Sequence, residues 1–259
     1  MNSVLIYFSI KYQGDFYSIF NALKRQEKID KDQILKIEDD LKLQKIKAIT
    51  ILDKNYPKEF KFLDKPPFVI FYKGNIKLLK NKNKIALTGD KNTFKVKKYL
   101  EQSLPEVNKN NVLITASYKN LDQNIINYFE NNDGKIIYVS VNGVNDPFFS
   151  NKFVINDNNL VISEYPDNTE ITKFRLKNRN RIMASIANSL VIYSSKANSG
   201  IMNLVNHFLN MGKEIFCFPG DWEDDEEDGN TILIKQGANL ITSIKDLEVK
   251  KNELKYSVK

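Results

Sequence analysis

Ile85-Ala86-Leu87-Thr88-Gly89-Asp90-Lys91 carries a short β-type run straight into a glycine turn, and the rest of the chain repeats that pattern. Similar runs lie at residues 112–116, 135–139, 160–163, 189–193 and 214–218, with amphipathic stretches such as 124–131 and 201–211 between them. Strands separated by helix-length segments predict right-handed βαβ units and a parallel sheet. The expected fold class is therefore α/β, a doubly wound, mostly parallel sheet that binds its ligand at the carboxyl ends of its strands.

Upstream, Phe16, Ile19, Phe20 and Leu23 recur at one-face spacing, and Ile34, Leu35, Ile37 and Leu41 predict a second short helix. Residues 46–52 read as a strand, and Asn55-Tyr56-Pro57 and Pro66-Pro67 mark extended or turn backbone, because the residue before proline disfavours helix. A boundary falls near residues 43–80. The division expected is a small helical N-terminal domain at 1–45, the sheet-bearing core at 46–245 and a Lys-rich tail at 246–259.

The apolar opening, Met1 to Phe8, lacks a basic leader and a small-residue cleavage site, so no signal peptide is expected. No apolar run approaches bilayer length, so no membrane association is expected either. One cysteine, Cys217, and one histidine, His207, cannot build an internal disulfide or a Cys/His zinc cluster. A reduced, cytoplasmic protein without metal or other cofactor is the expectation. The formal charge of +7 favours polyanionic partners. Asn and Lys fill so many solvent positions, however, that single lysines argue little. The acidic stretch at 221–228 reads as a solvated loop that would repel DNA.

With ten glycines in the chain, those at strand exits carry information. Gly89 precedes Lys91 in a turn whose backbone N–H groups could face a phosphate; an ordinary tight turn explains it equally. In Asn198-Ser199-Gly200, Ser199 either caps the next helix or shares an anion with its first-turn N–H groups. Phe218-Pro219-Gly220 turns toward the same edge of the sheet, by function or by plain turn chemistry. Arg179-Asn180-Arg181 is the most specific element, read as the beginning of a helix that continues through Ile182. Two forked guanidiniums there suit phosphate oxygens, or one of them forms a structural salt bridge with Glu164.

An enzyme would need a nucleophile, a base or a metal. His207 sits among Leu204, Phe208 and Met211 as a packed or half-exposed side chain, Cys217 falls inside an apolar strand, and no paired carboxylates flank a nucleophile. No catalytic set can be assembled, and a non-catalytic protein is expected.

In their order and spacing, these residues resemble the DprA/Smf family of DNA-processing proteins. The resemblance rests on Asn55-Tyr56-Pro57, Lys65-Pro66-Pro67-Phe68, Phe71-Tyr72-Lys73-Gly74-Asn75, Ser163-Glu164-Tyr165-Pro166, Arg179-Asn180-Arg181-Ile182, Ser199-Gly200, Phe218-Pro219-Gly220 and Gly229-Asn230 with Leu233-Ile234 and Gly237-Ala238. It implies an N-terminal helical domain, an extended Rossmann-like core, homodimerisation, and binding of single-stranded DNA without hydrolysis. It also implies transfer of that DNA to the RecA recombinase in natural transformation. The sequence departs from the family where Ile126 replaces a histidine after Asp122, where Ile201-Met202-Asn203 rather than a serine- and threonine-rich segment follows Ser199-Gly200, and at two glycine segments. The family's Gly-Ser-Arg turn is Gly89-Asp90-Lys91 here, and its glycine-rich Ser-Gly-x-Ala-x-Gly-x-Asp segment is residues 115–122, which keep Lys119 and Asp122 but lose both glycines.

The resulting expectation is sequence-tolerant binding of single-stranded DNA, with phosphates on Lys91, Lys119, Arg179, Arg181 and the Ser199-Gly200 turn, and bases partly stacked on aromatics. It requires the sheet's carboxyl rim to gather Lys91, Arg179, Arg181 and the Gly200 helix start into one positive hollow. Two rivals remain. One is a nucleotide hydrolase of the Rossmann-like phosphoribohydrolase type, whose Pro-Gly-Gly-x-Gly-Thr segment is absent where Pro219-Gly220 leads to Asp221-Trp222. The other is a diverged module that contacts a recombinase without binding DNA.

Overall fold

A computed structural model describes residues 2–119, 121–145, 154–220, 228–243 and 245–246. Short polar residues start its first helices: Asn2 precedes α1 (Ser3–Lys11), Asp15 precedes α2 (Phe16–Lys24) and Asp30 precedes α3 (Lys31–Leu43). Each accepts a hydrogen bond from a first-turn N–H, the Ser18 N–H donating to Asp15 Oδ1 at 2.8 Å, which satisfies a donor that the helix leaves unpaired. The sequence reading assigned no element to the opening stretch. It is helical because Leu5, Ile6, Tyr7 and Phe8 are all buried, two against the sheet and two in a helical cluster with Ile19 and Ala22.

The chain continues through β1 (Lys47–Thr50), α4 (Lys58–Lys61), β2 (Val69–Gly74), a 3₁₀ turn (Ile76–Lys80), β3 (Lys84–Thr88), α5 (Phe94–Asn110), β4 (Val112–Thr115) and α6 (Leu121–Asn131). It then runs through β5 (Lys135–Ser140), β6 (Asn159–Ser163), α7 (Lys173–Ile186), β7 (Ser189–Ile192), α8 (Ile201–Asn210), β8 (Glu214–Cys217), α9 (Gly229–Lys235) and β9 (Asn239–Leu240). The nine strands form one sheet in the order β1-β2-β6-β5-β4-β3-β7-β8-β9. Pairing is parallel from β6 to β9, while β1 pairs antiparallel with β2 and β2 with β6. The doubly wound, mostly parallel α/β core read from the sequence is the observed one.

Both faces of the sheet are covered, as a parallel sheet requires. Ala86, Ile114, Ile137 and Ile192 face a core completed by Ile182, Leu204 and Phe208 of α7 and α8. Their neighbours Leu87, Leu113, Tyr138 and Val191 face the opposite core, built with Leu100, Ile125 and Phe129 of α5 and α6. After β3 the chain builds outward on one side through β4, β5 and β6, then returns to lay β7 against the other side of β3. That reversal places the exits of β3 and β7 side by side, where open α/β sheets form their ligand crevice.

Among the described residues no helix is long and apolar enough to cross a membrane, and no cluster of three His, Cys, Asp or Glu side chains is placed to hold a metal ion. Cys217 is buried in the core and burial pushes its thiol up to about 12. His207 is half-buried, and burial lowers its pKa. The acidic stretch lies outside the described residues except for Asp228, which is buried rather than solvated. Its Oδ2 accepts from the Thr231 N–H at 2.9 Å and the Thr231 hydroxyl at 2.6 Å, capping α9.

Candidate functional site

A cavity of about 280 Å³ opens at the point where strand order reverses. The exits of β3 and β4 and the sides of α6, α7 and α8 form it, through Thr88, Gly89, Asp90, Tyr118, Asp122 and Asn180 among others. Of the residues singled out from sequence, Gly89, Lys119, Asn180 and Gly200 meet here. Lys91, Arg179, Arg181, Ser199 and Gly220 do not line it, so the single positive hollow expected from the sequence is not formed.

The β3 exit differs from the expected phosphate cradle because protein atoms use its donors. The Asp90 N–H donates to Ser194 O at 3.0 Å and the Lys91 N–H to Ser194 Oγ at 2.9 Å, while Ser194 Oγ donates back to Lys91 O at 3.0 Å. Asp90 Oδ2 accepts from the Lys196 N–H at 3.0 Å. A carboxylate of the chain itself thus sits on a backbone donor beside the turn. Gly89 is a glycine for packing: a Cβ there would lie 2.3 Å from Leu121 Cδ2.

Around β7 the helix-cap alternative is the observed one. Ser199 Oγ accepts from the Ile201 N–H at 2.9 Å, and Gly200 precedes α8 with ordinary right-handed dihedrals. Lys91 and Gly220 share a separate small crevice with Lys95, Tyr99 and Asp228. Lys95 Nζ donates to Gly220 O at 2.6 Å, and a Cβ on Gly220 would fall 2.0 Å from Asp228 Oδ2. A protein carboxylate fills the space that this glycine leaves.

The Arg179-Asn180-Arg181 segment lies in the middle of α7, which starts six residues earlier than Arg179 at Lys173, capped by Thr172. The expected gain from a helix N-terminus is therefore lost. Arg179 is 1% exposed, donates from Nη1 to Val139 O at 3.0 Å and from Nε to Asn180 Oδ1 at 3.2 Å, and lies against the Tyr118 ring at 5.5 Å. It braces the cavity from behind, out of reach of an external phosphate. Arg181 pairs with Glu164, both buried, and its Nε donates to Asn178 Oδ1 at 2.9 Å. Burial pushes the Glu164 carboxyl up against the opposing pull of Arg181. The salt-bridge alternative therefore describes Arg181, and Arg179 is not the free partner expected beside it. The Arg181–Glu164 pair lines a different groove, of about 250 Å³, with Tyr17, Lys65 and Phe174.

The group that sequence reasoning undervalued is Asp122. It is 3% exposed on the cavity floor, accepts from the Thr88 hydroxyl at 3.0 Å and has its carboxyl pushed up to about 7, chiefly by burial. The signal available was its place between the strand-like run at 112–116 and the amphipathic stretch at 124–131, where a strand exit leads into a helix.

The family model of DNA recombination-mediator protein A matches residues 47–251. The DNA processing protein DprA of Streptococcus pneumoniae is 31% identical over 210 residues, 79% of this chain and 74% of that protein. Its Bacillus subtilis counterpart is 27% identical over 222 residues, 83% of this chain and 75% of that protein. Among solved structures, the X-ray structure of DprA from Streptococcus pneumoniae superposes with a TM-score of 0.74 at 24% identity, covering 95% of each chain. A structure of DprA from Helicobacter pylori, described for its single-stranded DNA binding mode, gives 0.69 at 24% identity, covering 80% of this chain and 96% of that one. The two superpositions speak for the shared fold, and the family model and the Streptococcus pneumoniae sequence go further: this chain belongs to the DNA recombination-mediator protein A family, DprA/Smf.

Proposed function

We propose that this protein binds single-stranded DNA across the carboxyl rim of its parallel sheet, without preference for base order along the strand. The observation that carries the reading is the cavity at the strand-order reversal in a member of this family, rimmed by the exposed Lys119 and the start of α8. Phosphates run outside the cavity, contacted by Lys91 in the neighbouring crevice, by Lys119 and by the turn at Ser199-Gly200. Arg179, Asn180 and Arg181 hold the frame, as their burial supports.

In this reading the protein protects an incoming strand and hands it to the RecA recombinase in natural transformation, acting as a homodimer in the cytoplasm. The relatives named DNA processing protein, and the Helicobacter pylori structure described with single-stranded DNA, support that assignment. The test is an anisotropy titration of labelled oligo-dT at several salt concentrations. Affinity should fall steeply as salt rises, because each neutralised phosphate releases counterions. Absence of binding at low salt, with the protein folded, overturns the reading.

A further inference from the structure

A second concavity, of about 570 Å³, opens at the other end of the sheet, where the parallel strands begin. Lys84, Val112 and Lys135 stand level there as register partners at the starts of β3, β4 and β5. With neighbouring strands about 4.8 Å apart, the three span roughly 10 Å. Four exposed lysines line the depression: Lys80 at the end of the 3₁₀ turn, Lys82 before β3, Lys109 in the last turn of α5 and Lys135 opening β5. Among the described residues none of the four is ion-paired, and the one carboxylate in the lining is Asp133. The cavity at the carboxyl end has the opposite balance, with Lys119 beside Asp90 and Asp122.

Helices α5 and α6 also end on this side, and the bare carbonyls of a helix C-terminus would repel an anion. Asparagine amides cover them. Asn111 Nδ2 donates to Val107 O at 2.9 Å at the end of α5, and Asn132 Nδ2 donates to Tyr128 O at 2.8 Å at the end of α6. Asn83 Nδ2 donates to Asn110 O at 3.2 Å and Asn108 Nδ2 to Asn132 O at 2.9 Å, which ties the rim into one frame. The lysines therefore dominate the field of this face. Protein interfaces are centred on apolar and aromatic side chains, and the apolar residue of this lining is the buried Val112. Single-strand sites add aromatic rings on which bases stack, and among the described residues none lines the depression. Charge alone is on offer, which suits phosphates and not bases. A duplex keeps its bases stacked inside and presents about one negative charge per 1.7 Å of axis, so about six fall within the span of the three strands.

We propose that this depression is a second nucleic-acid surface, which holds the phosphate backbone of duplex DNA through Lys80, Lys82, Lys109 and Lys135. It stands on different residues from the single-strand reading and at the opposite end of the sheet, so one protein holds a strand at its rim and a duplex here at the same time.

The experiment measures anisotropy of a short labelled duplex and of labelled oligo-dT across a range of salt. The proteins compared are wild type, Lys119→Ala, and a variant with Lys80, Lys82, Lys109 and Lys135 all changed to Gln. The quadruple variant should bind the duplex at least about tenfold more weakly, and its slope of log affinity against log salt should flatten by about 2–4, with oligo-dT binding unchanged. Lys119→Ala should weaken oligo-dT and spare the duplex. If wild type binds no duplex, or the quadruple variant binds it as tightly as wild type or loses oligo-dT affinity as steeply, the second surface is refuted, while oligo-dT binding by wild type still upholds the strand reading. If wild type binds the duplex through these lysines and no oligo-dT, the strand reading falls and this surface stands. Should the quadruple variant not fold, Asp133→Asn serves, since Asp133 has a φ of 52° that asparagine also adopts. Removing that carboxylate should tighten duplex binding about twofold, and an unchanged affinity overturns the proposal.

Discussion

Thr88 Oγ1 donates to Asp122 Oδ1 at 3.0 Å, tying the last residue of β3 to the first turn of α6 beneath the cavity. The bond holds a buried carboxyl whose pKa stands near 7, well above its ordinary value. Below the ordinary carboxylate range both folded and unfolded chains carry the proton. As pH rises toward 7 the unfolded chain releases it first, so this site's contribution to stability is lost across that interval. Asp122→Asn carries no proton to lose. In urea unfolding it should gain on wild type between pH 5 and pH 8, by up to roughly 3 kcal/mol. A constant difference across that range contradicts the assignment.

Arg181→Ala leaves Glu164 buried without its charged partner. Removing one member of such a pair costs about 3–5 kcal/mol, whereas replacing both with apolar residues of similar volume costs far less. Denaturant titrations should therefore find Glu164→Leu with Arg181→Met together more stable than Arg181→Ala alone. If Arg181→Ala keeps full stability but loses DNA affinity, the arginine contacts phosphate after all.

Gly89→Ala places a methyl against Leu121. Overpacking of this kind costs about 1–3 kcal/mol, and shortening the obstructing side chain in Gly89→Ala with Leu121→Ala should relieve the clash. A thermal melt in which the second change recovers none of the loss would place the strain elsewhere.

The fold was legible in the strands from β3 to β8 because each is a short apolar run between polar turns. Less visible were β2, which follows Pro66-Pro67, and α5, which carries Pro105 inside it and lysines along its exposed side. The start of α7 was misplaced for a related reason. Lys173 to Asn178 expose mostly polar side chains, so apolar periodicity begins only at Ile182, although Thr172 caps the helix ten residues earlier. At the site, the sequence singled out Gly89 and Gly220 as turns that could face a phosphate, whereas protein side chains occupy the space beside both. What approaches them, Leu121 and Asp228, comes from distant segments that no local pattern connects.

Lys119→Ala and Lys91→Ala should each weaken oligo-dT binding for all sequences alike and reduce the slope of log affinity against log salt by about 0.7. Arg179→Ala should instead destabilise the protein, since it removes the bond to Val139 O. A lysine variant with an unchanged slope removes that residue from the phosphate path.

Leu5 and Ile6 of α1 belong to the same core as the sheet residues Phe71 and Val161. We propose that residues 1–45 form a unit in sequence that the core needs for full stability. A chain beginning at residue 46 should lose about 3–6 kcal/mol in urea unfolding, the burial of two large aliphatic side chains. Unaltered stability would make that segment dispensable to the fold.

Asp90 gives the β3 exit its own resident anion, fastened to the backbone on the far side of the seam. A loop anchored in this way has no need to rearrange when a strand arrives or leaves. Where a strand crosses this rim as proposed, the β3 exit then meets it already tied down, and ionic conditions set how fast the strand exchanges.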